Sequence, residues 1–395
     1  MNWKKADRGL GFRIRIVAGS SAFALLALTA CGGSSSPASS APIKIGGVMP
    51  LTGAVAAAAK QALDGYNSYF DATNAKGGVN GHKVDYITQD DGFVIANTIA
   101  GLRQLIQQDN VSAVTAFGSS NVLAAVPLVT QLKVPMIAPF AFTTSLYDPV
   151  IPYAFPVFPG GADELGPVVK YFQAQGFKKY VIVTRDDPLG PSNAKAYAAG
   201  LDPGELVDTL TYPQGATDVT TIAQHVIADN PDMILMYTTT PEFALWYKTL
   251  KSLGYTKSIF SQQASADPGL PAETGDSAMN NVYGSVFVDQ FSNSPGWQQY
   301  VANLKKYAPN ANPDAPFTIE GYLSAMVIVG VLKNAKGNFT PAGLETAAQT
   351  LTNLSTDGLT PPISFNETSH IGTKSELITE WKSGTLVAVT PFAAP

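Results

Sequence analysis

From residue 43 onward, short apolar runs alternate with longer stretches whose apolar positions recur at helical spacing. The run IKIGGVMPLTG (43–53) alternates and then turns apolar, the pattern of a buried strand broken at Thr52-Gly53. Alanine-rich AVAAAAKQALDGYNSYFDATN (54–74) has apolar residues three and four apart and predicts a helix. Gly77-Gly78 stops it, Asn80-Gly81 makes a turn, and KVDYITQDD reads as the next strand. VIANTIAGLRQLIQQDN predicts an amphipathic helix, VSAVTAFGSS an apolar strand running into small residues, and NVLAAVPLVTQLK another helix. VPMIAPFAFTT is a strand and a loop. Strand and helix alternating in this way predict a parallel sheet with helices on both faces.

The pattern then restarts. ELGPVVKYFQAQGFK, TDVTTIAQHVIADNP and PEFALWYKTLKSLGY read as helices, KYVIVTRDD, DMILMYTTT and KSIFSQ as strands, and PLGPSNAKAYAAGL as a loop and helix. GWQQYVANLKKYAP and TIEGYLSAMVIVGVLKNAKG follow as helices, and SELITEWKSGTLVAV as a terminal hairpin around Ser383-Gly384. The two α/β units show no strict sequence repeat. The fold class is α/β, with two sheets in one chain. Ligands of such folds settle at the carboxyl ends of the strands. The loops there are PLTGAV, FGSSN, PFAFTT, RDDPLG, TTTPEF and SQQASADPG, rich in hydroxyls and glycine and suited to an anion.

Composition agrees. Of 395 residues 45% are hydrophobic and 14% charged, enough apolar material for true cores. Net charge is −5, with no basic stretch beyond the first fifteen residues, so nucleic acid is not an expected partner. Those fifteen carry Lys4, Lys5, Arg8, Arg13 and Arg15 against Asp7, and uncharged IVAGSSAFALLALTA follows. A basic segment, a short apolar segment and small residues make a secretory signal; the run is short and rich in Gly and Ser for a membrane span. The sole cysteine, Cys31, ends LTAC and precedes GGSSSPASSAP, a flexible tether.

Enzyme signals are weak. His82, His225 and His370 are scattered, and no HExxH, GxSxG or phosphate-loop pattern occurs. Asp90-Asp91 and Asp186-Asp187 each end a strand and read as solvated loop acids. No metal site, cofactor or catalytic residue is expected.

LTAC resembles a bacterial lipobox, which implies lipid on Cys31 and attachment to the bacterial membrane, in the periplasm or at the cell surface. IKIGGVMPLTG, NAKGGVNGHKVDYITQDDG, FGSSN, VPMIAPFAFTTSL, RDDPLG, GATDVTTI and LITEWKSGTLV, in this order, resemble the leucine/isoleucine/valine-binding protein family. These are extracytoplasmic ligand-binding subunits of ATP-driven (ABC) importers with the type I periplasmic binding fold. The resemblance implies a signal peptide at 1–30 and a lipidated tether at 31–42. It implies two Rossmann-like lobes, 43–153 with 289–373 and 158–284 with 376–390, joined by three crossings, the first at 153–159. It also implies a monomer that captures a branched-chain amino acid, amide or related carboxylate and delivers it to a permease. A ligand-sensing surface module of the same fold is the alternative.

Carried over residue by residue, Ser119 and Ser120 receive the ligand carboxylate, although the same serines also suit a helix cap. Ala141 offers a carbonyl and Thr143 a hydroxyl. Phe117, Phe140, Phe142 and Phe317 either line the pocket or pack the core. Lobe two adds Thr238–Thr240, with Thr239 at their centre, and Gln262 and Gln263. These glutamines stand where amino-acid binders place an acid; Asp187, Glu242 and Glu320 are the possible replacements. Leu189 stands where a tyrosine is usual, and Ala56 to Ala59 replace an aromatic in the first loop.

Overall fold

The computed structural model describes residues 40–392, apart from 54 and 188. Cys31, the signal and most of the tether lie outside the described residues. Ser39–Pro395 make one compact unit.

The first sheet has the order β2-β1-β3-β4-β5, all parallel. Its strands are β1 (Ser40–Met49), β2 (His82–Asp90), β3 (Ala113–Ala116), β4 (Met136–Ile137) and β5 (Ala154–Phe155). In β1 the period of two sorts the core. Ile43, Ile45 and Met49 face α1 (Ala56–Ala75) and α10 (Pro316–Asn334), whereas Val48 faces α2 (Ile95–Gln107) and α3 (Ser119–Leu132). Helices on both faces bury every strand of this sheet but β2.

The second sheet runs β12-β11-β10-β9-β8-β6-β7. Here β6 (Tyr180–Asp186), β7 (Leu206–Pro213), β8 (Met233–Met236), β9 (Ser258–Phe260) and β10 (Val282–Val286) are parallel. The hairpin of β11 (Leu377–Lys382) and β12 (Thr385–Ala388) is antiparallel. Tyr180 and Ile182 face α4 (Ala162–Ala174) and α5 (Gly190–Gly200); Val181 and Val183 face α6 (Thr220–Ala228) and α7 (Thr240–Ser252). The terminal hairpin and the α/β alternation match the sequence reading.

Three strands and two short helices, the latter at 270–274 and 341–349, were not legible. β7 is an edge strand with alternating exposure and several polar residues, and β10 carries a central glycine and follows two asparagines, so neither shows a clean apolar run. β5 has only two residues. Of α8 to α11, α9 (Pro295–Tyr307), α10 and α11 (Pro341–Gln349) belong with the first sheet's core, and α8 (Leu270–Thr274) with the second.

α10 is apolar and long enough to cross a membrane by length and composition, yet 89% of its most apolar window is buried in the protein. It is a core helix, and glycine lets it approach α1 closely. A Cβ on Gly321 would lie 2.1 Å from the Ala62 carbonyl oxygen, and one on Gly65 2.0 Å from that of Thr318.

The chain passes between the sheets after β5, after β10 and before β11. The first and last passages are hydrogen-bonded to each other, Gly372 N–H to Pro156 O at 2.9 Å and Thr373 N–H to Val157 O at 3.0 Å.

Candidate functional site

The loops at the carboxyl ends of the first sheet's strands are stitched together. Asp90 accepts bonds from Leu51 N–H, Thr52 N–H and the Thr52 hydroxyl, at 2.8, 3.2 and 2.7 Å. Asp91 accepts from the Thr98 hydroxyl at 2.6 Å and from Phe93 N–H at 2.8 Å. Asp91 is buried, which corrects the reading of both acids as solvated; its neighbour Asp90 is exposed. Burial is sustained because Asp91 is an acceptor for the loop and helix that enclose it.

Gly118, at φ 93°, turns the chain from β3 into α3. This residue, not a serine, occupies the N-cap position, so Ser119 and Ser120 open the helix proper. Their first-turn N–H groups have no intrahelical acceptor, and the helix dipole is positive there. Ser119 is half-buried and Ser120 exposed. The Ser119 hydroxyl accepts the Phe142 N–H at 3.0 Å, which joins the serine loop to PFAFTT. Ala141 is fully buried; Thr143 is half-buried in extended backbone.

The phenylalanines form one connected wall. Phe117 stacks on Phe140 at 4.9 Å, and Phe140 meets Phe142 and Phe317 edge-on at 5.3 and 5.4 Å. Phe142 stacks on Phe287 at 5.5 Å and also contacts Phe158. Phe140 lies in the core, whereas Phe142 and Phe317 remain half-buried. Phe158 and Phe287, absent from the sequence reading, belong to the passages between lobes.

In lobe two Arg185 organises the strand ends. Its guanidinium reaches Asp187 at 2.7 Å and Glu242 at 3.5 Å and lies 4.7 Å from the centre of the Tyr237 ring. Asp187 accepts the Leu189 N–H at 2.9 Å, and Glu242 closes a capping box with Thr239. Leu189 and Thr239 therefore sit on one braced rim. Asp187 is largely buried, a second departure from the solvated reading, and Asp186 is exposed. Thr238 pairs with Ser261 at 2.7 Å.

Of the three candidate replacement acids, Asp187 and Glu242 are matched by Arg185. Glu320, on α10, is 1% exposed and bonded across the lobes to the Gln263 side-chain amide. Its other oxygen is buried without a partner. The side chain of Gln262, next to Gln263 in sequence, lies toward Glu164 in the first turn of α4, which is 2% exposed. Glu376, at the last passage, is 1% exposed, with the Ser285 hydroxyl against it. Burial pushes the Glu164 carboxyl up to about 8, with the Gln262 amide opposing. Burial, then the charge of Glu164, raises Glu320 and Glu376 well above the usual carboxylate range. The sequence reading missed Glu164 and Glu376. Spacing could have shown the former, since Glu164, Val168 and Phe172 share one helical stripe with the core. Elsewhere on lobe two, Asp208, His225 and Asp229 bring possible metal-ligating atoms within 4.8 Å on a partly exposed surface.

Residues 42–385 match the family model described as periplasmic binding protein, and the chain belongs to that family. A Leu/Ile/Val-binding protein homolog 7 of Brucella abortus is 24% identical over 93% of this chain and 96% of its own length. Among solved structures, a branched-chain amino acid transporter component of Thermus thermophilus with bound valine is similar, with TM-score 0.80 and 18% identity over 90% of this chain and 97% of that one. A solute-binding protein of R. palustris in complex with 4-hydroxybenzoate has TM-score 0.76 and 21% identity over 89% and 97%. The expected type I periplasmic binding architecture is thus the observed one, and the family is one of solute-binding proteins.

Proposed function

We propose that this chain captures a small organic carboxylate between its lobes and presents it to an ABC permease, without catalysing a reaction. One observation carries the reading. The first turn of α3, where Ser120 is exposed and Ser119 half-buried, is fixed by the Ser119–Phe142 bond beside a phenylalanine wall whose Phe142 and Phe317 are half-buried. Such a pair offers N–H and hydroxyl donors for a carboxylate and an apolar face for its side chain. Ser119, Ser120, Ala141, Thr143, Phe117, Phe142 and Phe317 form the lobe-one surface. Leu189, Thr239 and Gln263 close on it by rotation at the paired passages. Lipid on Cys31 holds the protein outside the cytoplasmic membrane, as LTAC and the tether support. The relatives' names support branched-chain amino acids, and the phenylalanine wall equally suits aromatic and longer aliphatic acids.

A thermal-shift panel of leucine, valine, 4-hydroxybenzoate, their amides and medium-chain fatty acids tests this. At least one carboxylate should raise the melting temperature. The Ser119→Ala/Ser120→Ala double variant should weaken it about tenfold or more in titration calorimetry, the loss of one or two charge-assisted hydrogen bonds. Unchanged affinity would place the carboxylate elsewhere.

A further inference from the structure

Three carboxyl groups from three distant chain segments meet where the lobes touch. Glu164 opens lobe two, Glu320 lies in the core helix of lobe one, and Glu376 ends the last passage. Each is almost wholly buried. Adjacent glutamines approach two of them: Gln263 bonds Glu320 across the lobes, and the Gln262 side chain lies toward Glu164. One oxygen of Glu320 and both of Glu376 are buried without a hydrogen-bond partner.

A buried carboxylate needs a cation or must give up its charge. The cations near this region are committed elsewhere. Arg185, in contact with Tyr237, is paired with Asp187 and Glu242, and Lys374 with Asp163 at 2.9 Å. The other groups facing the cluster are Tyr197 and Tyr237, toward Glu164, and the Ser285 hydroxyl, toward Glu376. None supplies positive charge. A proton, unlike an organic cation or metal ion, requires no cavity between packed side chains. A protonated carboxyl also gains a donor, which can serve the unpartnered oxygens.

We propose that Glu164, Glu320 and Glu376 form a proton-binding latch, so that closing the lobes takes up protons and alkaline solution opens them. The inference rests on lobe closure, and not on which ligand is bound. Parting the lobes gives water access to Glu320 and its neighbours, where a glutamate titrates near its ordinary value of about 4.3. Between that value and the raised one, the closed state binds more protons. Raising pH across this window therefore shifts the balance toward the open state, by up to about tenfold per pH unit for each proton released.

The test needs no ligand. Small-angle scattering of the purified protein at pH 5.5, 7 and 8.5 reads lobe separation, and thermal unfolding over the same range reads proton linkage. The radius of gyration should grow and the melting temperature should fall toward pH 8.5. In Glu320→Gln, which keeps shape and hydrogen-bonding capacity, both trends should flatten. Glu376→Gln serves as a second variant should Glu320→Gln fail to fold. For wild type alone, unfolding calorimetry in two buffers of different ionisation heat should show net proton release at pH 7. A pH-independent radius, equal slopes in wild type and folded variant, or no proton release would each overturn the latch. None of these outcomes bears on the carboxylate panel above.

Discussion

Replacing Arg185 by methionine removes a cation that braces the lobe-two rim. Its side chain is 10% exposed, and its partners Asp187 and Glu242 are 8% and 11% exposed. Methionine fills much of the same volume, so the loss is chiefly one of charge. Two nearly buried carboxylates then face each other without a counter-ion. Breaking a buried pair by removing one partner costs about 3–5 kcal/mol, far more than the 0–1 kcal/mol of an exposed pair. The stacking of guanidinium on Tyr237 adds about 0.5–2 kcal/mol. Urea unfolding monitored by tryptophan fluorescence should therefore show a loss of about 3.5–7 kcal/mol. The control is Arg185→Met/Asp187→Asn. Removing one orphaned charge should restore about half of the loss, a non-additivity that a simple packing defect would not show. Ligand affinity should fall in the single variant, because Leu189 hangs on Asp187 and Thr239 on Glu242. A single-variant loss under 1 kcal/mol, or a double variant no better than the single, would refute the account.

Two further outcomes follow from packing and burial. Gly321→Ala forces a Cβ against the Ala62 carbonyl, so α1 and α10 must separate; a loss of about 3 kcal/mol or more is expected, read as a lower melting temperature. His370 donates through Nδ1 to the Ile151 and Ala154 carbonyls at 2.9 and 3.1 Å, while its Nε2 is buried without a partner, and burial lowers its pKa. The unfolded chain thus binds the extra proton first as pH falls below about 6.5, and stability is lost from there downward. His370→Gln should remove that acid-side loss in melting curves, leaving any alkaline-side fall in place.

Much of the fold could be read from period alone. β1 to β3, the helices between them and the terminal hairpin carry clean alternation or clean helical spacing. The serine and PFAFTT loops could be placed because strand ends in such sheets converge on one edge. What could not be read depends on contacts between distant segments. Asp91 and Asp187 look like their exposed neighbours Asp90 and Asp186; only folding decides which acid of each pair turns inward. Glu376 sits in a passage with no period. Glu320 was legible as a possible acid, but its bond to Gln263 joins residues 57 positions apart.

The close seat of α10 on α1 has a consequence for when this chain can fold. The partners are separated by some 250 residues, so α1 emerges long before the helix that covers it. At synthesis rates of about 5–20 residues per second, that delay is roughly 10–50 s. Until α10 arrives, Tyr66 and Phe70 lack their cover and lobe one stays incomplete. Long-range pairing of this kind slows folding. Lobe one can therefore reach its final packing only when nearly the whole chain has been made, since it is completed by nearly the last large helix.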